Sequence, residues 1–272
     1  MKSAIEQAFD RAAREERCTF IPFMTGGFPD PDTCRDLLSV LDENGADVIE
    51  IGLPFSDPLA DGPVIQRASK TALDNGTTPA GVLDLTAWAS KRLISPIIIM
   101  TYWNPVLKMG PAEFAVRAVD AGTAGVIIPD LPPEEADEWL EASAHLGLET
   151  VFMVAPTTPP ERRLSIMSRC RGFLYYVSLT GVTGSDVAVS PELVEDLDDL
   201  RRLSPVPVAV GFGVSTPDQA HSLSSFADGV IVGSALIRAV LAEEEKGARI
   251  ASAARLAASL SRALRRNGTN LG

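Results

Sequence analysis

Short runs of apolar residues recur along the chain, each separated from the next by a stretch with helical periodicity. The runs are apolar at both even and odd positions, which is typical of parallel strands that are covered on both faces. The predicted strands are residues 19–25, 47–52, 96–102, 125–130, 150–156, 173–179, 207–212 and 229–233. Eight such repeats in 272 residues favour a (β/α)8 barrel over a doubly wound sheet.

The intervening stretches have the periodicity of amphipathic helices, and several begin with proline, which is favoured in a first helical turn. The predicted helices are residues 32–44, 79–92, 111–121, 133–146, 160–169, 191–203 and 217–226. Residues 1–17 predict an extra N-terminal helix, and residues 248–266 predict a final one. No linker or block of charge interrupts the repeats, so we expect one α/β barrel domain over residues 1–272.

A carboxylate lies inside the second predicted strand, where a charge is costly. Glu50 stands between Ile49 and Ile51, and an unpaired charge buried among such residues loses its hydration without compensation. It lies near the carboxyl end of the strand, where barrel enzymes carry their active sites. It is therefore either a catalytic acid or a structural acid that is paired with an arginine or with backbone groups.

Two more acids, Asp57 and Asp61, follow in the Pro- and Gly-rich loop after this strand. An acid in that loop can face Glu50 across a pocket, which indicates acid–base chemistry. Both also have an ordinary explanation, because Asp-Pro and Asp-Gly-Pro are common in turns, and Asp61 could cap a helix that begins at Gly62-Pro63. The loop alone does not decide which of the two acids is structural.

Glycines cluster after three late strands, at residues 180–184, 211–215 and 233–235. In (β/α)8 barrels the loops after strands 7 and 8, with a helix N-terminus, form the usual phosphate site. Glycine lets the backbone approach the anion, and free N–H groups with the helix dipole stabilise it. Gly213 and Gly233-Ser234 lie in these two loops, so the pattern favours a phosphate-binding barrel over plain turn glycines.

Charge and the placement of lysine and histidine argue against several functions. A net charge of −12 without a basic stripe argues against nucleic-acid binding. No apolar run reaches spanning length and no targeting peptide is supported, so we expect a cytoplasmic protein. The five lysines lie outside the predicted strands and the two histidines lie in helical stretches, which disfavours Schiff-base and metal-dependent aldolases. Metal-free carboxylate chemistry on a phosphorylated substrate remains, with Tyr102 or Tyr175 as possible helpers.

Around these candidates the chain resembles the tryptophan synthase alpha chain family nearly end to end. The most specific match is residues 50–66, and residues 22–30, 100–105, 175–184, 211–213 and 233–234 complete it. The resemblance implies a phosphate-binding barrel that cleaves indole-3-glycerol phosphate into indole and glyceraldehyde 3-phosphate in tryptophan biosynthesis. It also implies no cofactor in this chain and a partner, the pyridoxal-phosphate-dependent beta chain, in an α2β2 heterotetramer.

Carried over by position, the resemblance implies a role for each candidate. Glu50 and Asp61 are the catalytic pair, supported by Tyr175 and by Thr183, whose loop is expected to close over the site and orient Asp61. The phosphate would be held by Gly184, Gly213, Gly233 and Ser234. The indole would be surrounded by Phe23, Met100, Ile127, Met153, Tyr175 and Phe212, apolar positions that pattern alone assigns more readily to plain barrel core. Asp57 would lie in the loop that meets the beta chain.

Other functions remain open at this point. The chain could release indole on its own, as a stand-alone lyase, or it could be an inactive barrel that activates the beta chain. The intact pair Glu50 and Asp61 argues against the inactive form, because an activator needs no desolvated acid. Residues 57–63 and 175–184 count against another phosphate-barrel isomerase or epimerase. Residues 183–191 lack the arginine or lysine that many family members carry there, which leaves regulation open.

Overall fold

The computed structural model describes residues 2–177, 190–211 and 213–266. Its strands are β1 (Thr19–Thr25), β2 (Ile49–Gly52), β3 (Ile97–Met100), β4 (Thr123–Ile127), β5 (Glu149–Val151), β6 (Met153–Val154), β7 (Leu174–Val177), β8 (Val208–Gly211) and β9 (Gly229–Val232). The described strands pair in parallel in the order β5-β4-β3-β2-β1-β9-β8-β7-β6. The order runs from β5 round to β6, two segments that are adjacent in the chain, which gives a nearly closed barrel.

One predicted strand, residues 150–156, is divided into β5 and β6 at Phe152. The Phe152 N–H donates to Cys170 Sγ at 3.4 Å instead of to a neighbouring strand. β5 pairs with β4 and β6 pairs with β7. The segment that contains β5 and β6 therefore takes the place of one barrel strand, with β5 pairing on one side and β6 on the other. The eight strand positions predicted from the sequence are retained.

Helices cover the outside and the amino end of the barrel. They are α1 (Ala4–Arg14), α2 (Pro31–Glu43), α3 (Pro63–Asp74), α4 (Pro79–Ser90), α5 (Trp103–Met109), α6 (Pro111–Asp120), α7 (Asp137–Ala144), α8 (Pro160–Arg169), α9 (Pro191–Leu203), α10 (Pro217–Ser224), α11 (Ser234–Leu241) and α12 (Lys246–Ala263). The helix predicted at residues 133–146 is divided into a 3-10 turn, Pro133–Glu135, and α7. None of the described helices is long and apolar enough to cross a lipid bilayer.

Alternate residues of each strand face two different cores. Ile49 and Ile51 of β2 belong to the outer cluster between sheet and helices, whereas Val48, which precedes β2 and has the parity of Glu50, belongs to the cluster inside the barrel. Ile98 and Met100 of β3 also belong to the inner cluster. Since side chains alternate along a strand, Glu50 points into the barrel interior.

The N-terminal helix α1 covers the amino end of this interior. Its residues Ile5, Ala8 and Phe9 belong to the inner cluster. Phe9 packs against Phe173 with ring centroids 5.7 Å apart, and Phe173 lies 6.4 Å from Tyr175. The extra helix predicted from residues 1–17 therefore fills the base of the barrel, below the carboxyl ends of the strands.

Asp47 joins the start of β2 to β1 through a mostly buried ion pair. Its side chain is 3% exposed. It accepts hydrogen bonds from the Phe20 N–H at 2.9 Å and from both terminal nitrogens of Arg17. Arg17 is itself only 15% exposed, and its other partner, Glu15 at 2.7 Å, is 53% exposed, so Asp47 is its buried partner.

We expect Asp47→Ala to lower the free energy of unfolding by about 3 kcal/mol, because Arg17 would stay largely buried with only the exposed Glu15 as a partner. Urea denaturation measures the loss. Asp199→Ala is the matched control, since it breaks an exposed pair with Arg202 and should cost less than about 1 kcal/mol. Equal losses in the two variants would show that burial adds nothing to the Asp47 pair.

Candidate active site

Glu50 is buried at the carboxyl half of β2. Its side chain points into the barrel, it is 1% exposed, and it stands in register with Phe23 of β1 and Ile98 of β3. Among the described residues its Oε2 has no hydrogen-bond partner. Burial and the nearby Asp61 carboxylate raise the pKa of Glu50 to about 8. No described cation is among the groups that shift it, so the structural explanation by an arginine pair is not supported.

Asp61 lies in the loop between β2 and α3, beyond the carboxyl end of β2. Burial raises the pKa of Asp61 to about 6, and a hydrogen bond from Tyr102 opposes that rise. Its side chain does not cap α3, because the N-cap is Gly62 and no side-chain hydrogen bond is made there. Its carbonyl oxygen accepts from the Gln66 side chain at 2.8 Å, which joins the loop to the helix. The Asp61 carboxylate is thus not used to cap the helix.

Tyr175 of β7 lies close to both acids. It is 4% exposed, and the charges of Glu50 and Asp61, after burial, raise its pKa well above the usual value. A Cβ built at Gly211 of β8 would come within 2.2 Å of the Tyr175 hydroxyl oxygen. Only glycine therefore leaves room for this tyrosine beside β8, and the three ionisable groups share one region of the barrel.

Several residues predicted to surround an aromatic ligand do meet inside the barrel. Phe23, Met100, Ile127 and Tyr175 belong to the inner cluster, and the partly buried Met153 packs against it. The Phe23 ring packs directly on the backbone of Gly52, since a Cβ at that position would lie only 2.5 Å from the ring. The structure thus gathers an apolar surface beside Glu50.

Three of the four predicted phosphate residues, Gly213, Gly233 and Ser234, lie beyond the carboxyl ends of β8 and β9. Gly213 has a φ of 87°, a conformation that side chains with a Cβ rarely adopt. Gly233 is the N-cap of α11 and Ser234 is its first residue, and no side chain caps this helix end. A Cβ on Gly233 would lie 3.2 Å from Phe23, so this turn is adjacent to the apolar surface.

Other candidates are placed apart from this group or are not described. Asp57 is exposed in the loop after β2 and accepts a hydrogen bond from the Ser56 hydroxyl at 2.5 Å. Thr183, Gly184 and Phe212 lie outside the described residues. In residues 2–177, 190–211 and 213–266 no three His, Cys, Asp or Glu side chains are grouped to hold a metal ion.

Tyr102 is the residue whose contacts sequence patterns did not reveal. Its hydroxyl oxygen accepts the Ala60 N–H at 3.0 Å, and Tyr102 lowers the pKa of Asp61, which burial raises. The sequence feature that could have indicated a role for Tyr102 is its position, because it is a polar aromatic residue that follows the buried strand β3 at the active-site end of the barrel. Its partner in the β2–α3 loop could be found only from the fold.

Comparisons with known proteins agree with this geometry. Residues 9–265 match the family model described as tryptophan synthase alpha chain. The alpha chain of Gloeobacter violaceus is 48% identical over 250 residues, 91% of each chain, and that of Deinococcus radiodurans is 46% identical over 249 residues, 90% of each.

Solved structures give the same answer. A tryptophan synthase chain of Mycobacterium tuberculosis superposes with a TM-score of 0.90 at 36% identity, covering 98% of this chain and 100% of that one. The alpha subunit of Legionella pneumophila superposes with a TM-score of 0.89 at 36% identity, covering 97% and 99%. The barrel with its extra N-terminal helix is therefore confirmed, and the chain belongs to the tryptophan synthase alpha chain family.

Proposed function

We propose that Glu50 and Asp61 are the acid–base pair with which this alpha chain, a carbon–carbon lyase, cleaves indole-3-glycerol phosphate into indole and glyceraldehyde 3-phosphate. The observation that carries the proposal is the buried Glu50 carboxyl. Its Oε2 lacks a partner among the described residues, and burial with the Asp61 charge raises its pKa to about 8. A carboxylic acid that keeps its proton near neutral pH is suited to general acid catalysis.

The cleavage needs two proton transfers at the same place. Glu50 donates a proton to C3 of the indole ring, which leaves a positive charge on the ring nitrogen. The ionised Asp61 accepts the ring N–H and stabilises that charge. Glu50, now a carboxylate, takes the proton of the glycerol hydroxyl next to the ring as the carbon–carbon bond breaks, which forms the aldehyde and restores the acid.

The remaining candidates would hold the two ends of the substrate. The apolar residues Phe23, Met100, Ile127 and Met153, with Tyr175, would surround the indole, because they meet beside Glu50 inside the barrel. Gly213, Gly233 and Ser234 would bind the phosphate through backbone N–H groups and the N-terminus of α11. Thr183, Gly184 and Phe212 are assigned to the same site by the family resemblance alone.

As an alpha chain of tryptophan synthase the protein has a small-molecule substrate and a beta chain as partner. We propose that the assembly is an α2β2 complex, with pyridoxal phosphate in the beta chain and the exposed Asp57 loop at the contact. We further propose that the chain is a single domain and works in the cytoplasm. The matched relatives are named as alpha chains, which favours partner dependence over a stand-alone lyase.

Indole release tests this function directly. The purified chain should convert indole-3-glycerol phosphate into equal amounts of indole and glyceraldehyde 3-phosphate, faster when the beta chain is added without serine. A rate that the beta chain leaves unchanged would favour a stand-alone lyase. The absence of indole in both assays, together with a faster beta reaction, would show an inactive activator and overturn the proposal.

A further inference from the structure

Tyr102 contacts the loop that carries Asp61 at two points. Its ring lies against Phe55 with centroids 5.4 Å apart. Its hydroxyl oxygen accepts the Ala60 N–H at 3.0 Å, which brings the phenol to the residue that precedes Asp61. The side chain is 4% exposed, so these contacts are shielded from water.

We propose that Tyr102 is the positioning residue for Asp61 in the cleavage reaction. A phenol has one proton to donate and an oxygen that accepts. Because the Ala60 N–H occupies the accepting side, the proton is directed to the carboxylate of the next residue. One oxygen atom thus sets both the loop backbone and the orientation of Asp61. This inference rests on the proposed role of Asp61.

The surroundings give this hydrogen bond an electrostatic function. The described titratable groups that face Asp61 and Tyr102 are Glu50, Tyr175 and Asp130, two acids and a phenol. The two acids, Glu50 and Asp130, do not favour a negative charge on Asp61. The Tyr102 hydroxyl does favour it, since its hydrogen bond lowers the pKa that burial raises. Tyr102 therefore keeps Asp61 ionised at a pH where Glu50 is still protonated.

The backbone at Tyr102 is held by a separate contact. The Trp103 N–H, at the start of α5, donates to Asp130 Oδ1 at 2.8 Å. Asp130 follows β4, so the tyrosine is fixed between the loops after β2 and β4. Removing only its hydroxyl should leave this support and the packing on Phe55 in place.

Tyr102→Phe tests the proposal through the pH dependence of kcat/KM for indole release. The acid limb, which reports Asp61, is expected to move up by about one pH unit, whereas the alkaline limb stays. KM should change less than kcat, because the substrate pocket is retained. An acid limb at the wild-type position would overturn the positioning role.

Tyr176→Phe is the matched control. The Tyr176 hydroxyl also donates to an aspartate, Asp196, at 2.6 Å, but on the parity that faces the outer core. This variant should keep the wild-type pH profile. A shift of the same size in both variants would mean that loss of a buried hydroxyl moves the profile nonspecifically, and the proposal would fail.

A second measurement does not depend on the folding of Tyr102→Phe. The chain has three tyrosines, so carbon-13 labelling of their Cζ atoms gives three signals, which Tyr175→Phe and Tyr176→Phe assign. The Tyr102 signal should titrate with Asp61 in the wild type and lose that step in Asp61→Asn. An unchanged titration in Asp61→Asn would overturn the contact. If Asp61→Asn instead retains full indole release, the proposed function of Asp61 fails and the contact itself is unaffected.

Discussion

Replacing Glu50 by glutamine is expected to lower kcat for indole release by at least ~10³-fold, because an amide cannot give a proton to C3 and take one back from the glycerol hydroxyl. The side chain keeps its size, so the apolar surface around it should be retained. Binding of glycerol phosphate, measured by calorimetry, should survive. Turnover near the wild-type rate would remove Glu50 from the proton transfer.

Glu149→Gln provides a matched control. Glu149 is also a partly buried acid whose pKa is raised, first by burial, and its Oε2 also has no partner in the described part of the chain. It lies at the amino end of β5, opposite the barrel mouth. Because the substitution is the same and only the place differs, this variant should retain wild-type kcat.

The free energy of unfolding of Glu50→Gln, measured against pH, should show whether the variant loses activity because it misfolds or because it lacks the proton donor. The folded chain holds the Glu50 proton up to about pH 8, whereas the unfolded chain releases it near 4.5. As pH rises through this window, the wild type loses unfolding free energy, because its native state binds the extra proton. Glu50→Gln lacks that loss and should gain stability relative to the wild type from low to high pH. A loss of activity with retained stability would confirm that the effect is chemical.

The second large effect is expected in the pH profile of the wild type. The proposed mechanism needs a protonated Glu50 and an ionised Asp61, whose pKa values are raised to about 8 and about 6. We expect kcat/KM to be bell-shaped with apparent pKa values near these two, falling about tenfold per pH unit on each side. The two limbs belong to the coupled pair, since each carboxylate affects the other.

Asp61→Asn assigns the acid limb. The amide cannot stabilise the positive indole ring as an anion does, so the rate should fall by roughly 10²–10³-fold. Glu50 would lose a neighbouring negative charge, which should lower its pKa and move the alkaline limb to lower pH. An acid limb that persists unchanged in this variant would assign it to a group other than Asp61.

Much of the fold could be read from the pattern of the chain. Strand β1 has the predicted bounds, and α8 and α9 begin and end where the pattern placed them. Periodicity succeeds here because each strand is covered on both faces and each helix on one. The division of residues 150–156 was missed, because it depends on Cys170, whose sulfur receives the Phe152 N–H from another part of the chain.

The residues of the site were harder to predict from the sequence pattern than the strands and helices. An acid inside an apolar strand identified Glu50, because burial of a charge is costly wherever the strand lies. The choice of Asp61 over Asp57 came from family resemblance, since both fit ordinary turns. Three-dimensional contacts support that choice, for they leave Asp57 exposed beside Ser56 and place Asp61 against Tyr102.

The sequence by itself determined the repeating barrel, the buried acid and the glycine turns, since each follows from neighbouring residues and their spacing. Only the tertiary structure decided which groups act on that acid. Tyr175 is distant from Glu50 along the chain, and Tyr102 is distant from Asp61. Each tyrosine comes near its acid because the carboxyl ends of parallel strands meet at one mouth of the barrel. The raised pKa of Glu50 is a property of that meeting, because it depends on the exclusion of water and on the charge of Asp61.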